Sequence, residues 1–157
     1  MKDYILVFSF FGAFVLFTLF FSNLNTKVRH LKKRNKKIDS LKKEGYTISQ
    51  RWDCNYITVV IDDLKKKLFI IVLDRKLSFF EIDINNIIKK EINSFGFVKG
   101  FITSVYVDIF TNENLTYTIR TLCITRGFGV GKKNKAVIFS RKCAEEICEH
   151  IDKLQSK

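Results

Sequence analysis

From Tyr4 to Ser22 the chain reads YILVFSFFGAFVLFTLFFS, nineteen residues without a charge that hold seven of the protein's 16 Phe. At ~1.5 Å per residue a helix of this length covers roughly 28 Å, close to the hydrocarbon thickness of a bilayer. The run lacks the polar stripe that a buried core helix shows. It also lacks the cationic start and small-residue cleavage site of a signal peptide, because FFSNLNT follows it. Ser9, Thr18 and Ser22 are tolerable in such a helix, where a hydroxyl bonds back to a carbonyl one turn earlier. The pattern predicts a retained transmembrane helix over residues 4–22.

Charge then sets a direction. The protein carries 28 Lys and Arg against 16 Asp and Glu, a net charge of +12, distributed unevenly. Residues 23–50 hold nine cations against Asp39 and Glu44, net +7, whereas residues 51–157 hold eighteen against thirteen acids, net +5. Cationic flanks stay on the cytoplasmic side of a membrane. The expectation is therefore a single-pass protein of the cell (inner) membrane, with residues 1–3 outside and everything after the span in the cytoplasm. Cys54, Cys123, Cys143 and Cys148 have no CxxC spacing, so reduced structural thiols fit that compartment, and with His30 and His150 they converge on no zinc pattern.

Residues 23–45 contain no Pro and no Gly before Gly45, and they predict a basic helix that stops there. Lys32, Lys33, Arg34, Lys36 and Lys37 would lie within a Debye length of an anionic leaflet, each adding about 1 kcal/mol of attraction. Leu24, Leu31 and Ile38 share one heptad position and Phe21, Val28 and Asn35 the other, a seam of two and a half heptads that allows weak self-association. The run has no interleaved aromatics, which argues against nucleic acid as its partner.

Beyond Trp52 the periodicity becomes strand-like. NYITVVIDD, LFIIVLD, LSFFEID, INNIIKKEINS, ITSVYVDIFT, LTYTIRTLCIT and AVIFS make seven strand-sized segments joined by short links. The last runs into SRKCAEEICEHIDKLQ, where Ser140 suits an N-cap and Cys143, Ile147, Ile151 and Leu154 recur at helical spacing. The fold class read from this order is α+β, residues 46–157 forming one antiparallel sheet-rich domain closed by a C-terminal helix.

On the hairpin VVIDDLKKKLFII, the segment FFEIDINNIIKKEI and the closing AVIFSRKCAEEICEHIDKL, the domain resembles small bacterial pleckstrin-homology-like (PH-like) proteins over roughly residues 55–155. The resemblance implies a seven-stranded sheet or barrel closed by the helix, and a binding or scaffolding role rather than catalysis. In the family's phosphoinositide binders the first hairpin loop supplies cations, and Lys65, Lys66 and Lys67 fall there. Phe69, Ile70 and Ile71 stand where further basic residues would follow, a departure from that pattern that also leaves room for a solvated turn.

The loop RGFGVGKKNK, with Arg126, Lys132 and Lys133, offers Gly-rich backbone beside cations. Lys133 and a following strand take the place of the Ser or Thr and helix start of a phosphate-binding loop, so contact with anionic lipid or a protein is the better reading. His30 and His150 lie among charges. No catalytic constellation, metal set or cofactor motif assembles. These observations together predict a membrane-anchored, non-catalytic module that presents a PH-like domain to a partner protein or to anionic lipid headgroups. The alternative is a small phage- or plasmid-type exclusion or immunity factor acting on another membrane complex.

Overall fold

The computed structural model describes residues 28–54, 57–73, 77–124 and 127–156. Contacts divide the chain into two compact units, Met1–Ser40 and Leu41–Lys157. Residues 28–43 are helical and are called α1 here. The helix stops where Gly45 predicts: this glycine has φ 85°, its N–H donates to the Lys42 carbonyl at 3.1 Å, and the Tyr46 N–H donates to the Leu41 carbonyl at 3.1 Å. That pair of bonds satisfies two carbonyls of the last turn, and the left-handed residue between them carries no Cβ penalty.

One expectation is corrected at this level. The span predicted over residues 4–22 lies outside the described residues, and among the described residues no helix is long and apolar enough to cross a membrane. The physical reason is composition. Helix α1 carries nine charged side chains in sixteen residues. The C-terminal helix, Lys135–Gln155 (α2), would cover about 31 Å, but its KAVIFSRKCAEEICEHIDKLQ places charges on every turn after the second. The transmembrane element of the fold class, the single-pass cell-membrane location and the outward N-terminus therefore have no described helix to rest on.

The domain itself is α+β. Strands β1 (Gln50–Cys54), β2 (Ile57–Asp62), β3 (Lys67–Leu73) and β4 (Leu77–Asp83) form a four-stranded antiparallel sheet in sequence order. The two central strands, ITVVID and KLFIIVL, are buried almost throughout, which explains why both read as continuous apolar runs rather than alternating ones. A 3-10 turn at Ile84–Asn86 leads into β5 (Ile87–Phe95). This strand pairs with β7 (Ser104–Thr111), which pairs in turn with β8 (Thr116–Cys123). A two-stranded sheet joins β6 (Phe101–Ile102) to β9 (Val130–Gly131).

The described chain thus has nine strands in three sheets where seven segments were expected, and two of the differences are instructive. QRWDC forms β1 although its polar residues hide it in the sequence; register supplies the reason, with Trp52 opposite Val59 and Cys54 opposite Ile57. AVIFS is helix, not strand. The N-cap is Asn134, whose side chain accepts from the Ala136 N–H at 2.9 Å, so α2 begins six residues before the expected Ser140. Val137, Ser140 and Ala144 continue the buried stripe of Cys143, Ile147, Ile151 and Leu154, and the Ser140 hydroxyl donates to the Thr121 carbonyl at 3.3 Å. Cys143, Ala144, Ile147, Ile151 and Leu154 pack with Val59, Ile61, Leu68, Ile70, Val107, Ile109 and Ile119 into the main core, while Val137 joins a second cluster with Ile102, Val105 and Leu122. Fully burying an Ile such as Ile147 or Ile151 is worth about 1.5–3 kcal/mol, which outweighs the strand propensity of a five-residue segment.

Candidate functional site

The predicted contact residues separate into three places. In α1, Lys32, Lys33 and Lys36 are exposed, Lys37 is half-buried and Arg34 is buried, only 7% exposed. The first four remain surface cations, whereas Arg34 is withdrawn from any contact face.

The β2–β3 turn holds the second group. Asp62, fully buried, accepts from the Thr47 N–H at 2.7 Å and the Lys65 N–H at 2.9 Å, folding the turn back on itself. Lys65 lies over the Tyr46 ring, 4.3 Å from its centroid, and Lys66 takes the left-handed conformation with φ 49°. Lys67 reaches Glu81 at 3.3 Å and Asp83 at 3.4 Å. Burial works against its charge, but those two carboxylates outweigh it and hold the ammonium above its ordinary pKa. Two of the three lysines are thus committed to partners within the domain.

The third group sits at the opposite end, and here the fold adds residues that sequence reasoning missed. Pairing of Ile102 with Val130 and of Phe101 with Gly131 brings the loop after β5 beside the loop before α2. Gly129 makes the junction: it has φ 94°, and a Cβ there would lie 2.7 Å from the Ile102 carbonyl oxygen. Residues 95–107 and 114–144 together contain eight Lys or Arg (Lys99, Arg120, Arg126, Lys132, Lys133, Lys135, Arg141 and Lys142) and no Asp or Glu. The remainder of residues 51–157 then carries ten cations against thirteen acids, net −3. Along the sequence the +5 of the domain is thus concentrated in these two stretches, with Glu146 reaching Lys142 at 3.9 Å and Asp108 accepting from Thr118 at their borders. Lys132 and Lys133 are exposed, Arg126 lies outside the described residues, and Lys99, Arg120, Lys132, Lys133 and Lys135 make no ion pair among the described residues. Arg141 is held toward the end of β5 by a 3.4 Å hydrogen bond to Ser94 Oγ.

Aromatic rings share this end. Phe97 is 80% exposed and Phe128 77%, each flanked by glycine, with Phe95 and Phe101 about half exposed. Phe95 meets Phe97 edge to face, with centroids 4.9 Å apart. Phe95 also borders a shallow depression of about 320 Å³ lined by Ser104, Tyr106, Thr118 and Arg120. Large exposed rings beside cations that make no ion pair among the described residues are the kind of patch that interaction sites present.

Two further constellations lie along α2. His150 Nε2 is 2.9 Å from Asp63 Oδ1, with the Trp52 ring edge-on at 5.9 Å and Trp52 Nε1 donating to Glu146 at 3.3 Å. Trp52 packs against the core. Cys54 and Cys143, 89 positions apart, are buried with their sulfurs 2.9 Å apart. Among the described residues no group of three or more His, Cys, Asp or Glu side chains could hold a metal ion. Comparison with known protein families, curated proteins and solved structures finds no match to this chain.

Proposed function

We propose that the chain is a non-catalytic binding module whose PH-like domain docks on an anionic lipid surface through the end built from the β5–β6 loop, the β8–α2 connection and the first turns of α2. One observation carries the reading: eight cations and no acid along the sequence of residues 95–107 and 114–144, with Phe97 and Phe128 strongly exposed in the same two stretches. The complementary surface must offer negative charge at one depth and an apolar layer just beneath it. Anionic headgroups over acyl chains meet both requirements, with lysines at the headgroup level and rings below. Contact of this kind is interfacial and calls for no spanning segment.

The experiment is co-sedimentation of the full chain with vesicles of phosphatidylcholine alone or mixed with phosphatidylserine, at low and high salt. A preference for the anionic vesicles that weakens with salt, and a reduction of about tenfold or more on replacing Phe97 and Phe128 together by Ala, are expected. Equal binding of wild type and variant, or binding to an acidic protein or single-stranded nucleic acid without vesicle preference, would overturn it.

A further inference from the structure

We infer that Cys54 and Cys143 form a reversible disulfide that pins the first turns of α2 to the end of β1. The two thiols come from opposite ends of the domain's sequence, yet the sulfurs lie 2.9 Å apart inside the core. A disulfide needs ~2.05 Å, so the bond requires an approach of less than about 1 Å. Cys54 is the last residue of β1, and Cys143 faces it from the third turn of the helix.

The neighbouring thiols supply a contrast. The hydrogen bond with Cys54 draws the Cys143 thiol below its ordinary pKa, against the opposing effects of burial and of Glu146. Burial pushes Cys148 up to about 11. Five residues further along α2, Cys148 lies about 140° round the helix and cannot meet Cys54 from there. Thiolate character favours Cys143 as the attacking group.

The oxidant class is a peroxide, small enough to reach thiols that are 4% and 7% exposed. The Cys143 thiolate attacks one oxygen of hydrogen peroxide; the O–O bond breaks, a sulfenic acid forms, and the released hydroxide leaves as water with the thiol proton. Cys54 sulfur then attacks the sulfenic sulfur, the S–S bond forms, and the displaced hydroxide departs with the Cys54 proton as a second water. The two thiols lose two electrons and two protons in all, and the peroxide accepts them. A dithiol reductant reverses the bond.

Its consequence bears on the docking end, because Lys135, Arg141 and Lys142 ride on the helical turns that the bond would fix. The link also closes a loop of nearly ninety residues, a length at which restriction of the unfolded chain is large.

The test treats the full chain with hydrogen peroxide, alkylates remaining thiols under denaturing conditions and maps the product by mass spectrometry. A 54–143 linked peptide, two alkylation sites fewer than in the reduced chain, and a Tm higher by roughly 5 °C or more that falls back with dithiothreitol are expected. The variant Cys148→Ser should behave as wild type, and Cys143→Ala should lose both the link and the Tm gain. Mapping needs no variant, so a poorly folded substitution does not blunt it. Alkylation of both Cys54 and Cys143 after peroxide, or a link mapped to Cys123 or Cys148 instead, overturns the assignment.

Discussion

Where α2 ends, polar side chains are tied to one another: Lys67 lies between Glu81 and Asp83, Lys90 meets Asp152 at 2.7 Å and Gln155 at 3.2 Å, and His150 meets Asp63. Gln155 also donates to the carbonyls of Ile84 and Ile87, tying the helix terminus to the 3-10 turn. Where α2 begins, Lys99, Lys132, Lys133 and Lys135 are exposed and make no ion pair among the described residues, beside exposed Phe rings. The first arrangement holds the fold together. The second is maintained against self-repulsion.

That contrast can be broken from either end, and the expected effects descend in size. Replacing Asp62 by Ala leaves the Thr47 and Lys65 N–H groups without their acceptor, and should cost about 3 kcal/mol of stability in urea unfolding while lipid affinity stays unchanged. Replacing Lys99, Lys132 and Lys133 together by Ala should do the reverse: about 100-fold weaker sedimentation with anionic vesicles, and a Tm within a degree or two of wild type. An intermediate effect is expected of Asn134→Ala, which removes the cap of α2 at the cation-rich end. It should cost ~1 kcal/mol, detectable as faster amide exchange in the first turn of the helix. The smallest concerns Lys67, whose folded pKa is raised above its ordinary 10.5. Its contribution is fully present below the unfolded pKa and is lost as pH rises through the folded one. Wild-type stability should therefore fall slightly more than that of Lys67→Met above about pH 10.5, and salt should shrink the difference.

Much of the sheet was legible because ITVVID and KLFIIVL bury both faces, and apolar β-branched runs declare that state. Strand β1 escaped because Arg51 and Asp53, joined by a 2.8 Å ion pair, point outward and leave Trp52 as its one large apolar residue. AVIFS was misread because five residues, three of them β-branched or aromatic, carry no decisive period; only the stripe continuing into Cys143 and Ile147 distinguishes helix from strand, and Asn134 was the available signal. At the cation-rich end, Lys132 and Lys133 could be found as a local run, but joining them to Lys99 and Phe97 requires the β6–β9 pairing across about thirty residues. The Cys54–Cys143 pair was hidden for the same reason, since contact between positions 89 apart leaves no spacing to read.

Helix α2 supplies Cys143, Ala144, Ile147, Ile151 and Leu154 to a core whose other members were all synthesised earlier. During translation the strands therefore leave the ribosome with one apolar face uncovered, and the main core is incomplete until α2 emerges. A chain cut short before Asn134 would leave Val59, Ile61, Ile109 and Ile119 uncovered, an apolar face that invites aggregation. The final helix thus acts as the timer of the domain's maturation, and a stop codon ahead of it should remove the protein from the cell rather than leave a partial one.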